Sequence, residues 1–119
     1  MSKVVRSALM AGTFAVCVAA SLTAARAEVI RVAVVTAGSA TDYQSNAALV
    51  PAFAALLKKG SGVKAVYAGT DAANMSITTT SVWANEADIA AVTGSAEWKA
   101  EADKLKSKSY TIGVFQLAP

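Results

Sequence analysis

Six segments of this chain carry the residue periodicity of a strand or a helix, and their order constrains the fold more than any other feature. Short runs rich in β-branched residues predict strands, and apolar residues spaced at i, i+4, i+7 and i+8 predict a helix. In order, the segments are a strand at 28–36, a helix at 43–59, strands at 63–70 and 75–84, a helical region that starts at Asn85 and is interrupted at Gly94, and a strand at 110–117.

Several residues also predict where the helices begin and end. Asn85 and Ser95 each suit the N-cap position, where a side-chain oxygen accepts a hydrogen bond from the first turn. Gly60 suits the end of the first helix. Pro51 lies inside that helix, where it either kinks the helix or marks its true start in the first turn. The sequence leaves both alternatives open.

The order β-α-β-β-α-β is typical of the ferredoxin-like fold, which belongs to the α+β class. The packing and handedness rules then give a four-stranded antiparallel sheet with both helices on one face. The opposite face would be bare although its strands carry apolar side chains, and a small domain does not leave such a surface in water. We therefore expect a homodimer in which the two sheets pack face to face.

The first residues indicate a targeting segment rather than part of the fold. A basic start precedes an apolar run at 8–22, and a small-x-small cleavage site ends at Ala27. The run is shorter than the roughly 20 residues that a permanent membrane helix needs. We therefore expect a cleaved signal peptide at 1–27, a single domain at 28–119, a periplasmic or secreted location, and no stable membrane insertion after cleavage. An uncleaved anchor is the alternative.

Composition excludes several functions from that domain. The leader contains the only cysteine, Cys17, and three of the 11 basic residues, so its removal leaves 8 basic and 8 acidic residues and no net charge. A nucleic-acid-binding domain needs a basic face, so we predict no nucleic-acid partner. The chain has no histidine, which excludes a Ser-His-Asp triad and histidine-ligated zinc or haem. The sequence contains no motif for a metal cluster, and we predict no metal site.

A family resemblance lies in the segment around the end of the third strand. Trp83 closes that strand, Asn85 follows two residues later, and a helix rich in alanine and acidic residues leads to a break. Ser95 and Trp98 then begin a second helical segment. With these residues in these places, nearly all of the chain from 28 to 118 resembles the dimeric α/β-barrel proteins, and within them the antibiotic-biosynthesis-monooxygenase-like domains.

The resemblance implies two subunits whose sheets close into a barrel, each with a cavity between its sheet and its helices or loops. Family members with known chemistry oxidise aromatic substrates with dioxygen, often without a metal or a flavin, so the resemblance implies no cofactor. The implied function is the oxidation of a small aromatic or quinone-like molecule. A non-catalytic dimer that binds a small ligand, or is purely structural, is the alternative. The haem-degrading branch needs a histidine that this chain lacks.

Five residues are candidates for lining the cavity, and none is assigned a catalytic role: Trp83, Arg31, Thr79, Ser81 and Tyr67. Alternation puts Thr79 and Ser81 on the same face of their strand as Trp83, and we expect this face to point toward the dimer barrel. By resemblance Trp83 would pack on a substrate ring, whereas an aromatic residue at a strand end can equally be core. The hydroxyl groups could instead bond within the protein. Arg31 is costly in mid-strand unless it faces a wet cavity or pairs with a carboxylate such as Glu28.

Overall fold

The computed structural model describes residues 28–117, so the predicted signal peptide lies outside the described residues. Strands and helices follow one another in the predicted order. The elements are β1 (Val29–Thr36), α1 (Ala40–Ala47), α2 (Val50–Lys58), β2 (Val63–Asp71), a single 3-10 turn (Ala72–Asn74), β3 (Ser76–Trp83), α3 (Glu86–Thr93), α4 (Ala96–Ala102) and β4 (Ser109–Gln116). No helix within this part of the chain is both long and apolar enough to cross a membrane.

The strands form one antiparallel sheet in the order β2-β3-β1-β4. β1 lies at the centre and pairs with β3 along its whole length, from Val29 opposite Trp83 to Thr36 opposite Ser76. β2 and β4 are the edges, so each is hydrogen-bonded to the sheet along one side only. β4 in particular pairs with β1 and with no other described strand.

The helix predicted at 43–59 is two helices, α1 and α2. Pro51 lies in the first turn of α2, where its missing N–H group is not needed. A proline ring clashes with the carbonyl four residues earlier, so a single straight helix could not pass through this position. Pro51 therefore belongs to the start of a new helix. α1 begins earlier than predicted, at Ala40, because the Ser39 hydroxyl accepts a hydrogen bond from Asp42 N at 3.1 Å.

The two predicted caps in the second helical region are confirmed. Asn85 Oδ1 accepts a hydrogen bond from Asp88 N at 3.2 Å, and the Ser95 hydroxyl accepts one from Trp98 N at 3.2 Å. Gly94 lies between α3 and α4, where the sequence indicates a break. Because Ser95 fixes the start of α4, it also fixes the turn of the helix from which Trp98 projects.

The helices cover one face of the sheet. On this face lie alternate residues of the central strands, Val29, Arg31, Ala33 and Val35 of β1 with Ile77, Thr79, Ser81 and Trp83 of β3. Leu57 of α2 and Ile89 of α3 pack with Val29 and Trp83 in one buried cluster, so both helical layers lie on the same side. The predicted ferredoxin-like α+β fold is confirmed. The expectation that the Trp83 face points toward a dimer barrel is wrong, because the helices cover it.

Trp83 is the centre of this core and is fully buried. A Cβ atom on Gly60 would lie 2.5 Å from two carbons of the Trp83 ring. Real Cβ atoms do not approach that closely, so position 60 has no room for a side chain. Gly60 is thus required by packing against Trp83.

The opposite face of the sheet is left uncovered by the rest of residues 28–117. Ile30, Val32 and Val34 of β1 form its centre, and all three are partly exposed. Tyr67 and Phe115 flank them from the edge strands and are 65% and 57% exposed. We call these five residues the open sheet face.

Candidate functional site

A cavity of about 330 Å³ opens between the helix-covered face of the sheet and the helices. Strands form its floor and helices its roof. The lining includes Arg31 and Ala33 of β1, Thr79 of β3, Phe53 of α2, Trp98 of α4, and Tyr110 and Ile112 of β4. Tyr110 and Ile112 are 67% and 50% exposed, so the cavity is open to solvent along the β4 edge.

The segment after α4 forms one lip of the cavity, to which Leu105 and Ser107 contribute. Asn46 of α1 is buried and holds this segment in place. Its Nδ2 donates to the carbonyl of Lys106 at 3.0 Å, and its Oδ1 accepts from Lys106 N at 2.9 Å. Both bonds go to the backbone, so the lip is positioned by Asn46 whatever the side chain at 106 does.

Arg31 carries a charge in the interior of the domain. The residue is 4% exposed, and its Nη1 is buried with no hydrogen-bond partner. The ion pairs found among the described residues join Lys64 to Glu28 and Lys104 to Glu101, so they leave Arg31 without a carboxylate. Burial lowers the pKa of Arg31 because desolvation disfavours the charged form. An arginine nevertheless stays protonated in proteins, so the cavity holds a fixed cation.

From the floor of the cavity this cation contacts the ring of Trp98 in the roof, and Trp98 in turn packs against Phe53. The Arg31 guanidinium carbon lies 5.3 Å from the centroid of the Trp98 ring, within the range of a cation–π contact. Phe53 meets Trp98 edge to face, with ring centroids 4.9 Å apart and an interplanar angle of 65°. The three side chains come from β1, α2 and α4, so the cavity depends on the tertiary fold.

Neither Trp98 nor Phe53 is among the five residues that the sequence nominated. Both fit apolar helix faces, and such residues are ordinarily core. The one signal for Trp98 is its place three residues after the Ser95 cap. For Phe53 the sequence carries no signal beyond the apolar stripe.

Trp83 and Ser81 are brought together by the structure, but not at the cavity. Both are fully buried, and Trp83 Nε1 donates to the Ser81 hydroxyl at 2.7 Å. The cavity lining contains neither residue. Each therefore satisfies the other within the core, which corresponds to the alternative interpretation of both residues.

Thr79 and Tyr67 lie on opposite faces of the sheet. Thr79 is buried and lines the cavity. The β2–β3 hairpin sets Asp71 opposite Ser76, and strict alternation from there puts Tyr67 opposite Thr80. The expectation that Tyr67 lines the cavity is therefore wrong, because the hairpin register turns it to the open sheet face.

A shallower hollow of about 310 Å³ adjoins the cavity and shares Arg31, Trp98 and Ile112 with it. α3 adds Glu86 and Thr93 to its lining. The Glu86 carboxylate is exposed and does not lie within ion-pair distance of Arg31. Glu86 is thus an acidic side chain beside the site that does not form an ion pair with Arg31.

The arrangement is suited to a flat apolar molecule with a polar oxygen function. Aromatic and aliphatic side chains form most of the wall, and the Arg31 guanidinium offers donors at one point. Of the described residues that line the cavity, none is a carboxylate. Within residues 28–117, no group of three side chains drawn from His, Cys, Asp and Glu is placed to hold a metal ion.

The arrangement of strands and helices defines the class, a ferredoxin-like α+β domain. No protein-family model matches the sequence. No curated protein matches it either. Its structural neighbours include proteins described as antibiotic biosynthesis monooxygenases, and they confirm the resemblance in fold that the sequence indicates.

Three of these neighbours illustrate the likeness. SnoaB from Streptomyces nogalater, a cofactor-independent oxygenase, is 16% identical with a TM-score of 0.58 over 78% of this chain and 95% of its own. Rv0793 from Mycobacterium tuberculosis is 15% identical, with a TM-score of 0.63 over 77% of this chain and 94% of its own. A proposed antibiotic biosynthesis monooxygenase from Caulobacter crescentus is 10% identical, with a TM-score of 0.68 over 85% of this chain and 99% of its own.

Proposed function

We propose that this protein is an exported homodimer that binds a small aromatic or quinone-like molecule in its cavity and oxidises it with dioxygen, without a cofactor. One observation carries the proposal. An open cavity with aromatic walls encloses the buried Arg31 guanidinium, whose Nη1 has no hydrogen-bond partner among residues 28–117. The description of SnoaB as a cofactor-independent oxygenase of the same fold supports the choice of chemistry.

The size and lining of the cavity support a small substrate. Its volume of about 330 Å³ lies near the lower end of the roughly 300–1,000 Å³ that is usual for small-molecule sites. One or two fused rings fit this space. Phe53 and Trp98 offer ring faces and edges for such a molecule, which favours an aromatic substrate over an aliphatic one.

The proposed reaction balances with dioxygen as the oxidant. A hydroquinone that becomes a hydroxyquinone gains one oxygen atom of dioxygen, and the other oxygen atom leaves as water. The substrate itself supplies the four electrons. In this reaction the Arg31 guanidinium would bind a substrate oxygen and stabilise negative charge there, while the Phe53 and Trp98 rings would orient the substrate and exclude water from it.

The open sheet face supports the homodimer. Its three central residues, Ile30, Val32 and Val34, are apolar and are flanked by two large exposed aromatic side chains. A contiguous apolar patch of this kind marks an interaction surface in a soluble protein. Val32→Glu would place a charge at its centre. We expect light scattering to give a dimer for the wild type and a monomer for this variant, and a monomeric wild type would contradict the proposal.

Export has its own test. The predicted leader ends at Ala27, so intact-mass measurement of the protein recovered from the periplasm of a bacterial host should give a chain that begins at Glu28. Recovery of the uncleaved chain in the membrane fraction would instead support the anchor alternative.

Catalysis is tested by oxygen incorporation. Purified protein is incubated under ¹⁸O₂ with 1,4-naphthohydroquinone and with 1,4-dihydroxy-2-naphthoate, and the products are analysed by mass spectrometry. Enzymatic monooxygenation puts one ¹⁸O atom into the hydroxyquinone, whereas uncatalysed oxidation gives the unlabelled quinone. We expect the label with the wild type and not with Arg31→Met. Lys64→Met, which removes an exposed cation outside the cavity, should behave as the wild type.

A non-catalytic binding protein is the second candidate, and one observation favours it. Trp83 and Ser81 bond to each other in the core, so neither offers a functional group to the cavity. Saturable binding of a probe without any label from ¹⁸O₂ would establish this function in place of the first.

A further inference from the structure

We propose that the cavity selects a small aromatic anion that is already ionised in free solution, such as an arene carboxylate or a strongly acidic phenol or enol. This inference rests on the proposed function in one respect, because it takes the same cavity as the binding site. It adds the charge state of the ligand, and it identifies Arg31 as the residue that distinguishes a charged ligand from a neutral one.

The first step is the missing counter-charge. Arg31 is 4% exposed, and its Nη1 is buried with no hydrogen-bond partner. A buried charge that lacks a partner is strongly unfavourable, and proteins pair almost all such charges. Trp98 meets the cation from one side only, through a contact weaker than an ion pair. A ligand anion in the cavity would supply the partner that the described part of the chain does not.

The second step is that none of the described residues that line the cavity offers a base. Their side chains include no carboxylate, lysine or histidine. The Glu86 carboxylate lies in the adjoining hollow. A neutral acid that entered the cavity would have to give its proton to solvent, because no lining side chain takes it up. A ligand that is already ionised binds without that step, so the lining favours an anion.

The third step is the charge at the entrance. Lys106 and Lys108 flank Ser107, which lines the lip of the cavity, and both lysines are exposed. Asn46 bonds to both the N–H and the carbonyl of Lys106, so the backbone that carries this lysine is held at the lip of the cavity. Cations around an opening attract anions and raise their rate of entry. The charge at the mouth and the charge on the floor thus favour the same class of ligand.

The fourth step is the selection of an aromatic anion over an inorganic one. Phe53, Trp98, Ile77 and Ile112 surround the space next to Arg31 with apolar surface. A chloride or sulfate ion would neutralise Arg31 but leave this surface in contact with water. An arene that carries its charge at one end satisfies the cation and covers the apolar wall together.

The test compares two probes that differ in charge and hardly in shape. Isothermal titration calorimetry measures the binding of benzoate and of benzamide to the purified protein in a buffer without other small organic anions. Charge-assisted hydrogen bonds are worth more than neutral ones, so benzamide should bind about 10- to 100-fold more weakly than benzoate. Arg31→Met should reduce benzoate affinity by a similar factor and leave that of benzamide within about twofold.

Three controls keep the inference falsifiable even if Arg31→Met fails to fold. Lys64→Met removes a cation outside the cavity and should leave benzoate affinity unchanged. Glu86→Gln should also leave it unchanged, because Glu86 does not neutralise Arg31; a gain of tenfold would show that Glu86 is already the partner. Sodium sulfate at equal ionic strength should not compete with benzoate beyond the effect of sodium chloride.

The outcomes separate this inference from the proposed function. Equal binding of benzoate and benzamide to the wild type would overturn the selection of an anion and leave the cavity as an aromatic-binding site. Strong competition by sulfate would overturn the selection of an aromatic ligand. Failure of both probes to bind would overturn this inference, and it would overturn the proposed function only if neither hydroquinone took up ¹⁸O. Binding of benzoate without ¹⁸O incorporation into either hydroquinone would overturn the oxygenase chemistry alone.

Discussion

Replacing Arg31 with methionine should stabilise the ligand-free protein, although it removes the residue on which binding depends. Arg31 is 4% exposed, and its Nη1 has no hydrogen-bond partner among residues 28–117, so the folded state carries the cost of a charge that has lost its hydration. Methionine has a similar length and no charge, and its flexible stem can follow the same path between β1 and Trp98. Residues that serve binding often lower the stability of the ligand-free protein in this way.

The magnitude follows from three contributions. Replacement of buried charged groups by apolar side chains of similar volume stabilises proteins by about 1–4 kcal/mol. Loss of the cation–π contact with Trp98 costs about 0.5–2 kcal/mol, and a methionine sulfur against the same ring restores about 0.3–1.5 kcal/mol. The last two nearly cancel. Because Arg31 lines a cavity that is open to water, we expect the lower half of the first range, about 1–2 kcal/mol.

Urea denaturation at one fixed protein concentration measures the effect, since a dimer unfolds at a midpoint that depends on concentration. With a slope of about 2 kcal/mol/M, the midpoint should rise by roughly 0.5–1 M. Lys64→Met is the matched control, because its exposed pair with Glu28 should be worth no more than about 1 kcal/mol and its loss should not stabilise. A lower midpoint for Arg31→Met than for the wild type would refute the argument, because the guanidinium would then have an internal partner.

The increase in unfolding free energy that Arg31→Met causes should be independent of pH. Burial lowers the pKa of Arg31 in the folded state, so the cost of its charge is present at every pH below that pKa and is relieved only as the pH rises through it. Guanidinium groups remain protonated well above neutral pH. The difference in unfolding free energy between wild type and Arg31→Met should therefore be flat between about pH 5 and about pH 9.

Three further substitutions test the supports of the site by the same urea assay. Gly60→Ala should destabilise by about 1–3 kcal/mol, because its Cβ would meet the Trp83 ring at 2.5 Å; a neutral result would show that this ring moves freely. Ser81→Ala should cost about 1–3 kcal/mol by leaving the buried Trp83 Nε1 without its acceptor, and unchanged near-ultraviolet circular dichroism would argue against that bond. Asn46→Ala should destabilise by about 2–3 kcal/mol, because two hydrogen bonds to Lys106 are lost, and it should weaken benzoate binding. Unchanged benzoate affinity would show that the position of the lip does not matter for binding.

Local rules recover most of the fold from the sequence. Asn85 and Ser95 act as caps because a cap depends on a few adjacent residues. The order of the strands follows from the order of the elements. Pro51 allowed either a kink or a helix start by local rules, and the structure shows a start. The buried Asn46 at the end of α1 bonds to a segment 60 residues away, a contact that local rules do not predict.

The site is recovered less well, because it depends on which face each residue occupies. Alternation correctly places Trp83, Ser81 and Thr79 on one face of β3. It does not predict which positions along the strand the helices cover and which ones face the cavity. Trp83 therefore falls in the core, and Thr79, four residues earlier, falls in the cavity. Tyr67 is misplaced because the hairpin loop sets the register of β2. Trp98 is missed because an aromatic residue on a helix face resembles core.

The strand that forms the outer wall of the cavity also sets how fast a ligand could come and go. β4 is tied to the sheet only through β1, and its cavity-facing side chains Tyr110 and Ile112 are largely exposed. Such a strand has few buried contacts to hold it and opens at a low local free energy. The cavity already opens along this edge, so each local opening of the strand widens its mouth and shortens the residence time of a bound molecule, and hydrogen exchange at the amides of 110–114 would report how often this happens. The strength of binding and its lifetime thus have separate origins, the first at Arg31 and the second at the rim of the sheet.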